Sequence, residues 1–158
     1  MNKITPSLWF DNNIEEAVNF YCSIFKNSEI TSVSRYGDAG FGKKGDVLAM
    51  SFKLNEQEFQ AINGGPMYQF NPAVSFSIDC NDQKEVDYYW EKLSDGGAIE
   101  QCGWLRDKYG LSWQIVPNIL PKYLMDKDPL KANRVMQAML KMKKLEIDVL
   151  KNAYDGMI

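Results

Sequence analysis

"GLSWQIVP", residues 110–117, is bounded by Gly110 and Pro117 and alternates along its length, the period-2 pattern of a β-strand. Gln114 stands between Trp113 and Ile115, so it points to the strand face opposite those two side chains. A second copy of the pattern lies 54 residues earlier, where "FQAI" (59–62) superposes on "WQIV" (113–116) and Gln60 on Gln114. An offset of 68 places Asp11 on Asp79, Val18 on Val86, Phe20 on Tyr88 and Tyr21 on Tyr89. Agreement in residue types and in element order points to a duplicated module.

Each copy carries the same run of elements. In the first, a strand over 5–10 leads to Asp11, Asn12 or Asn13 as helix cap. Ile14, Ala17, Val18, Tyr21, Ile24 and Phe25 then follow at helical spacing, with Glu15 and Glu16 in the first turn. Strands over 29–36, 47–54 and 58–63 come next, the last two joined by the turn "NEQ". In the second, a strand over 74–80 precedes a helix capped by Asn81 or Asp82 and ended by "SDGGA", with Val86, Tyr89, Trp90 and Leu93 on its apolar side. Strands over 99–102, 104–107 and 112–116 complete it. The expected fold is α+β: two βαβββ modules, 1–70 and 71–118, with a C-terminal helical extension over 119–158, in one structural domain overall. In the extension Asp128 and Pro129 start a helix continued by Leu130, Val135, Ala138, Met139 and Met142. A shorter helix starts at Asp148 and holds Val149, Leu150, Ala153 and Tyr154 before Gly156. This tail suits either cover of its own sheet or packing on a second subunit.

Composition narrows the chemistry. Of 158 residues 45% are hydrophobic and 25% charged, the balance of an ordinary globular protein. No apolar run approaches the ~20 residues that cross a bilayer, and "MNKITPSLWF" lacks a signal-peptide core, so the expectation is a cytoplasmic protein that binds no membrane. A net charge of -3 with dispersed lysines gives no footprint for nucleic acid. Cys22, Cys80 and Cys102 are odd in number and widely spaced, which fits reduced thiols, and Cys80 and Cys102 read as packed and unreactive. The absence of histidine removes Ser-His and Cys-His nucleophile designs and the commonest transition-metal ligand. A GxGxxG pattern at Gly40, Gly42 and Gly45 precedes a strand instead of a helix, so it reads as a hairpin loop and not a phosphate cradle.

If a helix covers one face of each sheet, the other faces line a concave, neutral, hydrogen-bonding cavity containing Gln60 and Gln114. Thr5, Ser7, Ser75, Ser77 and Asn63 join the ligand-binding candidates. Trp9, Trp104 and Trp113 stand as walls or supports, and Asp107, Tyr109 or Cys102 as the reactive group if the protein is an enzyme.

The stretches "LWFDNNIEEAVNFY", "FQAINGGP", "SFSIDC", "QCGWLRDKYGLSWQIVP" and "VMQAMLKMKKLEID" resemble the PhnB-like proteins of the glyoxalase/bleomycin-resistance, or vicinal oxygen chelate, superfamily. The resemblance implies two βαβββ modules forming a cupped mixed sheet around a small-molecule pocket, commonly in a homodimer. Members often carry the label 3-demethylubiquinone methyltransferase, which implies a methyl-donor site, yet no strand, glycine turn and helix arrangement for one is present. In metal-using members the ligands, typically histidines and glutamates, come from the first and last strands of each module. Those positions fall near Thr5 (or Pro6), Gln60, Ala73 and Gln114, none of them a histidine or carboxylate. With charged and imidazole ligands missing at those positions, the first expectation is a metal-free protein that sequesters a small, partly aromatic or polar organic ligand, with no cofactor. The alternative is a lyase, isomerase or dioxygenase relative using a weakly bound divalent metal.

Overall fold

The computed structural model describes residues 3–157, and the chain divides into two compact units, one up to Gln69 and one from Phe70 onward. The first holds β1 (Ser7–Phe10), α1 (Ile14–Ile24), β2 (Glu29–Arg35), β3 (Val47–Leu54) and β4 (Gln57–Asn63). Its sheet runs β1-β4-β3-β2, with β1 parallel to β4 and the other neighbours antiparallel. Ile14, Ala17, Val18, Tyr21 and Ile24, spaced along one side of α1, are buried, as are Leu8, Phe10, Met50, Phe52, Phe59 and Ala61 of the sheet. Asn13 occupies the cap position but its side chain caps nothing; Ile14 N donates instead to Asn63 Oδ1 at 3.3 Å. Between β3 and β4 the chain turns through Asn55 and Glu56, both at positive φ (47° and 68°), as a two-residue hairpin turn requires.

β2 is an edge strand exposed along all seven residues. Between Ile30 and Ser32 two of its residues oppose one of β3, a bulge that returns Ile30 and Val33 to the same side, opposite Phe52 and Met50. The same irregularity interrupts an edge that would otherwise template a further strand.

The second unit holds β5 (Ser75–Cys80), α2 (Gln83–Ser94), β6 (Ala98–Ile99), β7 (Trp104–Arg106) and β8 (Ser112–Pro117), followed by α3 (Ile119–Leu124), α4 (Pro129–Met139) and α5 (Ile147–Asp155). Its sheet repeats the first as β5-β8-β7-β6, with β5 parallel to β8. Asp82 caps α2 by accepting from Glu85 N at 2.9 Å, while Glu85 Oε2 accepts from Asn81 N at 2.7 Å. The architecture is therefore α+β, two βαβββ modules and a C-terminal helical part.

The helix offset of 68 is corrected by one residue. Buried Ala17, Tyr21 and Ile24 correspond to buried Val86, Trp90 and Leu93, which aligns Tyr21 with Trp90 and not with Tyr89. The strand-to-helix link is three residues long in the first module (11–13) and two in the second (81–82), so no single offset fits both strand and helix.

The extension is not a unit of its own; it clusters with the second module. Leu120, Val135, Ala138, Leu145, Leu150 and Ala153 form its core, against which Val116 of β8 also packs. Full burial of Val135 or Leu150 contributes roughly 1.5–3 kcal/mol each. Gln83 of α2 ties it down: its Oε1 accepts from Ile147 N at 2.8 Å and its Nε2 donates to Leu145 O at 3.2 Å. α4 stops at Met139, short of the Met142 expected from periodicity. The carbonyls of Met142 and Lys143 accept instead from Cys102 N (2.8 Å) and Gly103 N (2.7 Å), in the turn between β6 and β7. Gly103 is required at this seam, since a Cβ there would lie 2.8 Å from Ile115 O and 2.9 Å from Leu145 Cδ1, at a φ of +83°. No helix among the described residues is long and apolar enough to cross a membrane.

Candidate functional site

In each unit the helix covers one face of the sheet and leaves the other to polar side chains. On the first sheet, register aligns Ser7, Gln60, Ser51 and Ser32 in one row across all four strands, with Ser7, Gln60 and Ser32 exposed. Trp9, two residues from Ser7, lies on the same side of β1. Its indole is fixed: Nε1 donates to Gly65 O at 2.8 Å, Tyr68 meets it edge-on with centroids 5.0 Å apart, and Gly64 leaves the room, since a Cβ there would stand 2.2 Å from the ring. Thr5 is half-buried just before β1.

On the second sheet the row is Ser77, Gln114 and Trp104. Gln114 Nε2 donates to Ser75 Oγ at 2.9 Å, which orients the amide and leaves its Oε1 as an acceptor. Ser112, two residues before Gln114 and on its side of β8, is fully buried, and its Oγ has no partner among the described residues. The sequence reading passed over Ser112 and Ser51; strand alternation from Gln114 and pairing from Gln60 are the signals that locate them. Trp113, expected as a wall or support, is buried on the opposite side, its ring tilted 49° to that of Phe76 with centroids 5.7 Å apart.

Two of the candidates have their polar atoms committed to the fold. Asn63 is 7% exposed; besides accepting from Ile14 N, its Nδ2 donates to Val47 O at 2.9 Å, so its amide joins α1 to the β3–β4 pair. Asp107, 3% exposed, closes the turn between β7 and β8. Its Oδ1 accepts from Tyr109 N (2.8 Å) and Leu111 N (3.1 Å), and its Oδ2 from Trp113 Nε1 (2.9 Å). Tyr109 sits half-buried in that turn. The structure thus places Ser7, Trp9 and Gln60 on one sheet face, Ser75, Trp104 and Gln114 on the other, and turns Asn63 and Asp107 to structural work.

The glycine-rich segment 37–46 joins antiparallel strands, as a hairpin loop must, and Lys44 spends its charge on Asp38 at 2.6 Å. Among the described residues no group of three or more histidine, cysteine, aspartate or glutamate side chains is placed to hold a metal ion. Cys102 is only half-buried, whereas Cys80 fits its reading as a packed thiol: burial, the largest cause, pushes the Cys80 thiol up to about 12, with Glu85, Asp79 and Asp82 adding to it. Only about one thiol in ten thousand is then a thiolate at pH 8. Iodoacetamide at pH 8 is expected to leave Cys80 unmodified in the folded protein and to alkylate it in urea, as peptide mass mapping would show; equal labelling in both states would contradict the burial.

The family described as 3-demethylubiquinone-9 3-methyltransferase matches residues 2–116. No protein of curated function matches. Among solved structures, a PhnB protein from Bacillus cereus carrying the same description is 42% identical, covering 73% of this chain and 99% of its own, with a TM-score of 0.68. Protein PA1353 from Pseudomonas aeruginosa is 17% identical with a TM-score of 0.62, covering 74% of this chain and 98% of its own. The fosfomycin resistance protein FosX from Listeria monocytogenes, solved with Mn(II) and sulfate, is 15% identical with a TM-score of 0.53, covering 72% of this chain and 89% of its own. These last two are alike in fold alone. Matched through both modules and sharing 42% of its residues with a PhnB protein, the chain is PhnB-like and belongs to the 3-demethylubiquinone-9 3-methyltransferase family.

Proposed function

We propose that the chain is a binding protein for a small polar organic ligand, held on the sheet face opposite α2 with Gln114 as its anchor, and that binding needs no resident divalent cation. The observation that carries this reading is the Gln114–Ser75 hydrogen bond at 2.9 Å. An amide locked by one neighbour offers its other end, Oε1, in a fixed direction at little further entropic cost. Amide and hydroxyl oxygens are neutral donors, and a set without carboxylate or imidazole holds a divalent cation weakly. The family's methyltransferase description has no support in the strand and glycine-loop arrangement, since the loop at 37–46 leads into an antiparallel strand and offers no helix terminus to a phosphate or a methyl-donor cofactor.

Native mass spectrometry and metal analysis of untagged protein test the reading together. The expected result is a co-purified organic mass with far less than one metal per chain. One neutral hydrogen bond contributes about 0.5–1.5 kcal/mol, so Gln114→Ala is expected to weaken retention of that mass by roughly two- to tenfold. Stoichiometric divalent metal, with binding abolished by chelation, would replace this reading with that of a metal-dependent lyase, isomerase or dioxygenase.

A further inference from the structure

Residues 117–158 lie outside the family match, and the Bacillus cereus protein is aligned over 99% of itself but only 73% of this chain. Within the extension a groove of about 280 Å³ runs between α4 and α5, lined by Arg134, Gln137, Ala138, Lys141, Met142 and Val149. We propose that this groove is a second binding site, specific for a small organic anion with an apolar body, the chemistry of a medium-chain carboxylate.

The charge of the lining decides the sign of the ligand. Two cations and no carboxylate face the groove, and neither Arg134 nor Lys141 forms an ion pair among the described residues. Arg134 is nevertheless held in place: Nε and Nη2 each donate at 2.8 Å, to Ala153 O and Tyr154 O at the end of α5. Those carbonyls take two of its donor groups and none of its net charge, so the guanidinium stands preorganised with Nη1 unspent. Lys141 follows two turns further along the same side, just past the end of α4. The surrounding field has the same sign, with eight lysines and arginines against five aspartates and glutamates in 119–158, compared with ten against sixteen in 1–118.

The rest of the lining decides the body of the ligand. Ala138 is buried, Met142 half-buried, and Val149 is 41% exposed at the groove. An inorganic anion would leave these side chains in water, whereas an alkyl chain covers them at about 25 cal/mol per Å². Methionine adapts to such a chain without a fixed shape requirement. The volume suits a molecule of some ten heavy atoms.

Titration calorimetry of the full chain with octanoate and with octylammonium tests the assignment. Octanoate is expected to bind saturably and at least tenfold more tightly than octylammonium, which shares its tail and reverses its charge. Lys141→Glu, at an exposed position, is expected to weaken octanoate at least tenfold, and Val149→Trp, which fills the groove, to abolish it. Gln114→Ala is expected to leave octanoate binding unchanged, so failure here and failure of the sheet-face site are separable. No saturable octanoate binding, equal binding of the two amphiphiles, or wild-type affinity in Lys141→Glu would overturn the proposal.

Discussion

Replacing Asp107 by alanine is expected to cost about 3 kcal/mol or more of folding stability, because three donors lose their acceptor inside the protein at about 1–3 kcal/mol each, less what water recovers. The donors are Tyr109 N, Leu111 N and Trp113 Nε1, all served by one carboxylate that is 3% exposed. The effect spreads along the strand. Trp113 packs against Phe76 and is paired across β7 and β8 with Leu105, so an indole released from Oδ2 loosens β7, β8 and the helix-side core together. With a urea dependence of about 1–3 kcal/mol per M, the unfolding midpoint should fall by roughly 1–3 M. Asp107→Asn keeps one oxygen acceptor but turns an NH2 group toward a donor, and an intermediate loss is expected. A midpoint within a few tenths of a molar of wild type for Asp107→Ala would show that the turn does not depend on the carboxylate.

The second large effect lies in the other unit. Asn63→Ala removes the acceptor of Ile14 N and the donor to Val47 O, both in a site only 7% exposed. Leaving one buried donor and one buried acceptor unmatched, and opening a small void, is expected to cost about 2–4 kcal/mol. The loss should register first at the start of α1, as faster amide hydrogen exchange at Ile14 and the following turn. Asn63→Asp is expected to keep the bond from Ile14 N, favoured at a helix N-terminus, yet to set a carboxylate oxygen against the Val47 carbonyl, so it does not restore full stability. The Tyr36 hydroxyl, which donates at 2.8 Å to the backbone oxygen of Asn63, is independent of the side chain and should hold the loop in both variants. Unchanged exchange at Ile14 in Asn63→Ala would show that the helix start is satisfied some other way.

Both residues stood among the expected ligand contacts, and the signals for the structural bonds they make differ. Asp107 could have been recognised from "DKYG" alone, since an aspartate three residues before a glycine closes turns by accepting from following backbone amides, here those of Tyr109 and Leu111. Asn63 carried no such local signal. Its partners lie 49 and 16 residues away in sequence, and only the packing of α1 on the sheet brings Ile14 N and Val47 O to the two ends of one amide.

Periodicity, caps and turns are local, set by sterics and hydrogen bonds within a few residues, so the amino-acid sequence alone determined the order of the strands, though not the span of the one expected over 99–102, which is Ala98–Ile99, the two module helices, the duplication, and the outward direction of Gln60 and Gln114. Tertiary structure decided what depends on competition between distant groups. It ended α4 at Met139, because the carbonyls of Met142 and Lys143 meet donors in the Cys102–Gly103 turn. It drew the extension onto the second module through Gln83, and it separated amides presented on a sheet face from amides consumed in the core. A backbone or side-chain polar group takes whichever partner folding places within about 3 Å, and sequence spacing does not contain that distance.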